Sequence, residues 1–143
     1  MKIKFEEIEK QIDDFVKKYG PQEQIQQIEF IVGMSRGGLI PAVLLATKLN
    51  KPLVTIYINK QDEIFFDRTE WIKHKNVLFV DDVLRSGKTA NLAYEYLKQN
   101  TEAQDILIYT LYTVMPLLKS EFSYLPILRI NNEVEEDVQF PWD

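Results

Sequence analysis

The chain has 143 residues, with no cysteine, one histidine and only five glycines. Without a thiol it can form neither a disulfide nor a thiolate metal site, and a reducing compartment suits it. Positive charge is also scarce. Its 17 Lys and Arg against 22 Asp and Glu leave a net charge of −5, which argues against general nucleic-acid binding and leaves room only for local cationic sites. No apolar run reaches membrane length. Met1 to Lys10 is charged and lacks an apolar secretory core, so a cytoplasmic location is expected. No repeat, low-complexity tract or linker divides the chain, so 1–143 is expected to be one domain that buries about two-thirds of its unfolded surface. The lone histidine, His74, sits between Lys73 and Lys75 and reads as a solvated turn residue rather than a catalyst.

What is present is an alternation of helical and extended patterns. Phe5, Ile8, Ile12 and Phe15 recur at helical spacing until Gly20-Pro21 stops them. Strands are expected over Ile28–Met34, Leu53–Ile58, Val77–Val80 and Ile106–Val114, and helices over Leu39–Leu49 and Gly87–Lys98. Pro41 is tolerated because it falls in the first turn of its helix. Such alternation predicts an α/β fold with a mainly parallel central sheet flanked by helices. The polar stretch Asn59–Lys75, with Phe65-Phe66 near its middle, reads either as a cover over a site or as an edge hairpin that merely packs.

One segment carries most of the chemistry. Val77 to Val80 is an unbroken apolar run, as in a strand buried on both faces, and Asp81-Asp82 follow at its carboxyl end. After Val83-Leu84, the turn Arg85-Ser86-Gly87-Lys88-Thr89 offers backbone N–H groups, two hydroxyls and two cations ahead of a helix. Such a turn suits a phosphate. Two adjacent carboxylates beside it can take sugar hydroxyls or a hydrated Mg²⁺, so the implied ligand is a phosphorylated sugar. The nucleotide-binding P-loop, which Gly87-Lys88-Thr89 resembles, fails on spacing: it needs a glycine where Asp82 stands, and that carboxylate would repel the phosphates.

The segment resembles the phosphoribosyl-diphosphate (PRPP) signature of type I phosphoribosyltransferases. Ile31-Val32-Gly33-Met34-Ser35-Arg36-Gly37-Gly38 resembles the diphosphate loop of the xanthine-guanine and hypoxanthine, or 6-oxopurine, branch, and Phe140-Pro141-Trp142-Asp143 is similar to that branch's closing segment. The resemblance implies a small C-terminal hood over about 115–143. It implies that Ser35, Arg36 and Gly37 hold the diphosphate and that Asp81 and Asp82 bind the ribose hydroxyls and Mg²⁺. Arg85, Ser86, Gly87, Lys88 and Thr89 would hold the 5′-phosphate, with Asp81, Asp82 and Arg85 as the catalytic set. It also implies transfer of the phosphoribosyl group to a nucleobase with release of diphosphate, in a homodimer or higher homo-oligomer.

Departures from that pattern fall on the base side. The branch commonly has an Asp for proton transfer where Arg85 stands, and arginine is no general base at neutral pH. Where it has a Lys for the 6-oxo group, this chain has Val114 and Met115, with Lys119 out of register. Where it has an aromatic that stacks on the purine, this chain has Asp137, followed by Val138. Val114, Asp137 and Val138 are therefore the base-site candidates. Three functions remain open: a phosphoribosyltransferase of purine-salvage type, a PRPP- or nucleotide-binding regulator on the same fold, and a phosphoribosyl-pocket enzyme of another class, such as a nucleotide-processing hydrolase.

Overall fold

Ile31 and Val32 are neighbours in sequence and lie on opposite faces of one sheet, both fully buried. That is the outcome of a period-two backbone whose side chains are apolar on both sides. The computed structural model describes residues 1–130 and 132–143. Its elements are α1 (Phe5–Tyr19), α2 (Glu23–Gln26), β1 (Phe30–Ser35), α3 (Leu39–Leu49), β2 (Leu53–Ile58), β3 (Ile64–Phe65), α4 (Thr69–Ile72), β4 (Val77–Leu84), α5 (Lys88–Gln99), β5 (Ile106–Val114), two 3₁₀ turns (Met115–Leu117 and Ser120–Phe122) and β6 (Glu133–Val134). The six strands lie in the order β3-β2-β1-β4-β5-β6. All neighbours run parallel except β2 and β3.

On one face, Ile31, Leu78 and Val80 pack with Ile8, Ile12 and Phe15 of α1 and Ala42 and Leu45 of α3. Leu128, Val138 and Phe140 close that layer from the C-terminal segment. On the other face, Val32, Val54, Val77 and Phe79 pack with Ala90, Ala93 and Leu97 of α5 and with Ile72 of α4. The chain is therefore a three-layer α/β structure, as the alternating pattern predicts. No helix among the described residues is long and apolar enough to cross a membrane.

Some boundaries differ from the sequence pattern for local reasons. The first strand begins at Phe30 rather than Ile28, because the Ile28 N–H closes a turn onto the Ile25 carbonyl at 3.1 Å. The strand expected to end at Val80 continues through both acids to Leu84, because β5 offers it partners as far as Thr113. The helix expected from Gly87 begins at Lys88, with Gly87 as its left-handed cap at φ 93°. In the polar stretch, Ile64 and Phe65 pair antiparallel with Ile58 and Tyr57, so an edge hairpin forms there. Asn59 ties it, its side-chain oxygen accepting the N–H groups of Gln61 and Glu63. His74 lies exposed in a turn with φ 62°.

Candidate functional site

β1 and β4 pair only as far as Gly33 and Val80. Beyond that point β1 continues beside β2 to Ser35 opposite Tyr57, while β4 continues beside β5 to Leu84 opposite Thr113. The two strands fork at the carboxyl end of the sheet, at the point where successive connections leave in opposite directions; α/β folds open a crevice there. Gly38, ahead of α3, fills the fork. A Cβ on it would lie 2.5 Å from the Val80 carbonyl oxygen and 2.8 Å from the Asp81 Cα.

The fork brings the phosphate-loop and acid candidates together. A cavity of about 770 Å³ is lined by Ser35, Arg36 and Gly37 on one side and by Trp142 and Asp143 on the other. An adjoining cavity of about 250 Å³ is lined by Arg85, Ser86, Gly87 and Lys88. Asp81, Asp82 and Thr89 line both, so the two cavities meet at the acid pair. A hollow of about 460 Å³ near Gln24, Asn76 and Asp105 contains none of the candidates.

The loops are shaped by a few specific contacts. Gly38 N–H donates to the Met34 carbonyl at 2.8 Å and Leu39 N–H to the Arg36 carbonyl at 3.1 Å, which turns the first loop back on itself; its Ser35–Arg36 peptide is cis. In the second loop the Ser86 hydroxyl accepts the Lys88 N–H at 3.3 Å, and the Ser86 carbonyl accepts the Lys119 N–H at 3.1 Å. The Phe122 ring and Leu118 crowd Gly87 from the C-terminal side.

Charge in the crevice is arranged unevenly. Asp81 is half-buried, and burial followed by the neighbouring Asp82 charge pushes its carboxyl well above the usual carboxylate range, against the Asp82 N–H that donates to it at 2.8 Å. The Trp142 indole N–H donates to Asp82 Oδ2 at 3.1 Å. Both cations of the second loop already have acidic partners: Arg85 Nε lies 2.8 Å from Asp137 Oδ1, and Lys88 Nζ 2.9 Å from Asp62 Oδ2. The Arg85 hydrogen bond, reinforced by the Val138 N–H, holds the Asp137 carboxyl below its ordinary value.

The base-site candidates are placed differently. The Val114 side chain is buried in the α1-side core and lines neither cavity of the fork. Val138 is likewise buried in that layer, and its carbonyl accepts the Arg85 guanidinium at 3.4 Å. Asp137 and the Val138 carbonyl thus both lie against Arg85. Three contacts have no signature in local sequence: Trp142 with Asp82, Asp137 with Arg85, and Asp62 with Lys88. Each joins segments far apart in the chain. In the sequence, only the aromatic-Pro-Trp-acid tail points toward any of them.

Phosphate-loop residues, an acid pair and a C-terminal aromatic around one forked-sheet crevice coincide with a family match. A family model described as the phosphoribosyl transferase domain aligns with residues 4–142. The chain belongs to the phosphoribosyltransferase family. A xanthine-guanine phosphoribosyltransferase of Chromohalobacter salexigens is 37% identical over 121 residues, covering 79% of this chain and 67% of the relative. An adenine phosphoribosyltransferase of Campylobacter hominis is 32% identical over 92 residues; the match spans 52% of this chain and half of that relative's length, 50%. Among solved structures, a purine phosphoribosyltransferase from Pyrococcus horikoshii superposes with a TM-score of 0.78 at 28% identity, covering 100% of this chain and 93% of the other.

In this phosphoribosyltransferase the donor set can be tested against a divalent cation. No group of three His, Cys, Asp or Glu side chains converges on one point among the described residues. Two adjacent carboxylates beside a phosphate loop suit Mg²⁺ all the same, since that ion keeps several waters and uses one or two carboxylates together with substrate phosphates. They do not suit a cation caged entirely by protein.

Proposed function

We propose that this phosphoribosyltransferase transfers the phosphoribosyl group of PRPP to a 6-oxopurine (guanine, xanthine or hypoxanthine) and releases diphosphate. The observation that carries this reading is the meeting of both loops at Asp81 and Asp82 in one forked crevice. The xanthine-guanine relative supports the choice of base. In this reading Ser35, Arg36 and Gly37 cradle the diphosphate, and the Arg36 guanidinium offsets the charge that gathers on it as it leaves. Ser86 to Thr89 grip the 5′-phosphate through backbone N–H groups at the start of α5. Asp81 and Asp82 take the ribose hydroxyls and, with substrate phosphates, Mg²⁺, which when bound neutralises diphosphate charge. Most of the acceleration then comes from holding C1′, leaving group and base in line. A homodimer or higher homo-oligomer in the cytoplasm belongs to the same proposal.

One feature favours a second reading, a PRPP- or nucleotide-binding regulator with little catalysis. Arg85 lies against Asp137 and the Val138 carbonyl, so a cation occupies the place where the branch uses a proton-transferring acid. A diphosphate-release assay, with a PRPP titration beside it, separates the two readings. The protein is incubated with PRPP, Mg²⁺ and each of adenine, guanine, hypoxanthine, xanthine, uracil and orotate, and diphosphate release is followed. Release that depends on a 6-oxopurine supports the enzyme; tight PRPP binding with no release for any base supports the regulator.

A further inference from the structure

Trp142 stands where its indole N–H can do only one thing. That nitrogen is a donor and never an acceptor, and its proton goes to Asp82 Oδ2 at 3.1 Å. The ring is fixed from several sides. It stacks on Phe140 with a centroid separation of 4.9 Å and an interplanar angle of 3°, and meets Phe5 edge-on at 6.4 Å. Phe140 is itself buried, and its N–H donates to the Asp143 carboxylate at 2.8 Å, which closes the turn that presents Trp142.

On its other side, Asp82 is confined by Gly37. A Cβ at position 37 would fall 2.3 Å from Asp82 Oδ2 and 3.1 Å from Oδ1, so the carboxylate lies directly against bare glycine backbone. The carboxylate is thus clamped between the first loop and the C-terminal aromatic, with one oxygen engaged by the indole. Trp142 also forms a wall of the 770 Å³ cavity.

We propose that Trp142 is a positioning residue for Asp82: its indole N–H fixes the carboxylate rotamer so that the remaining oxygen meets the ribose hydroxyls of a phosphoribosyl ligand. The inference rests on the PRPP reading above. A hydrogen bond to a charged group sets the scale of the loss at about tenfold in affinity. The effect should follow the ribose and leave the diphosphate subsite alone.

Isothermal titration of wild type and Trp142→Phe tests this with three probes: PRPP with Mg²⁺, ribose 5-phosphate with Mg²⁺, and inorganic diphosphate without metal. Phenylalanine retains an aromatic ring for Phe140 and removes the N–H. The expected result is about tenfold weaker binding of PRPP and ribose 5-phosphate, with diphosphate binding unchanged. Equal weakening for all three probes would mean that Trp142 merely docks the tail, and would overturn the proposal. So would unchanged PRPP binding. A wild type that binds diphosphate but not PRPP would overturn the functional reading itself, and the Trp142 role with it. A second readout keeps Trp142 in place and so does not depend on the folding of Trp142→Phe. The chain has two tryptophans, so in a Trp71→Phe protein the emission of Trp142 reports alone. It should shift during a PRPP titration with a midpoint at the calorimetric Kd; an emission that stays constant at saturation would overturn the proposal.

Discussion

Arg85 and Asp137 are 52 positions apart and form a 2.8 Å ion pair that ties the loop at 85–89 to the C-terminal segment. Both side chains are about half exposed, so the pair contributes under about 1 kcal/mol to folding. Its significance is chemical. In the 6-oxopurine reading proposed above, the guanidinium would stand where an acid assists the base, and its partner where an aromatic stacks.

Turnover of a 6-oxopurine by the wild type is therefore expected to fall short of that of an acid-bearing relative by the 10²- to 10⁴-fold ascribed to general acid–base catalysis. Arg85→Asp alone is expected to weaken PRPP binding, since it removes a cation from the loop, and to set a new carboxylate against Asp137. The double variant Arg85→Asp with Asp137→Trp removes that repulsion and supplies a stacking ring. It should turn over guanine faster than either the wild type or the single variant in a diphosphate-release assay. Fast guanine turnover by the wild type, lost in Arg85→Asp, would show that another residue handles the proton.

The first loop offers a paired prediction in which adjacent glycines fail in different ways. At Gly37 an added methyl meets the end of the Asp82 side chain, which can turn aside; at Gly38 it meets the Val80 carbonyl and the Asp81 Cα, which cannot. Gly37→Ala should keep its melting temperature close to wild type and lose roughly 10²-fold in activity through a displaced carboxylate. Gly38→Ala should instead unfold more easily, by about 1–3 kcal/mol of overpacking. Parallel denaturation and activity measurements separate the two, and the reverse pattern would contradict the fork geometry.

Asp81 gives a pH dependence whose sign follows from burial. Its folded-state pKa is raised above the ordinary 3.8, so between 3.8 and the raised value the native state holds a proton that the unfolded chain has lost. Its contribution to stability is complete below that ordinary value and is lost as pH rises through the folded one. Asp81→Asn removes the cost of ionising a half-buried carboxyl beside Asp82. The ligand-free variant should melt higher than wild type near neutral pH, with a flatter profile as pH rises above 3.8, while its PRPP affinity drops. Thermal melts across that range decide it; a variant less stable than wild type at neutral pH would argue against this account.

Much of this was legible locally. Unbroken apolar strands such as Ile31 to Met34 and Val77 to Val80, the glycine pair after β1 and the Ser86–Thr89 turn each declare their conformation within a few residues. The end of β4 was not legible, because what extends it to Leu84 is pairing with β5 rather than anything in its own acids. Nor were the clamps on the crevice. Trp142 reaches Asp82 across 60 positions, and no local pattern specifies such a contact. Asp137 reads as a missing aromatic until the fold brings it to Arg85.

The last prediction concerns Lys88 and Asp62. The hairpin between β2 and β3 places Asp62, at φ 62°, where its carboxylate lies 2.9 Å from Lys88 Nζ in the second loop. A 5′-phosphate entering that loop competes with this carboxylate for the same ammonium, so binding should release the hairpin from the loop. PRPP with Mg²⁺ at about 100 times its Kd should stabilise the wild type by roughly 2.7 kcal/mol. Asp62→Asn leaves Lys88 free for the phosphate and should show at least as large a stabilisation at lower PRPP, whereas Asp82→Asn should show much less. Thermal melts over a PRPP series provide the comparison. A melting temperature unmoved by millimolar PRPP in the wild type would count against PRPP as the ligand, and weaker binding in Asp62→Asn would show that the hairpin helps to hold the phosphate rather than competing with it.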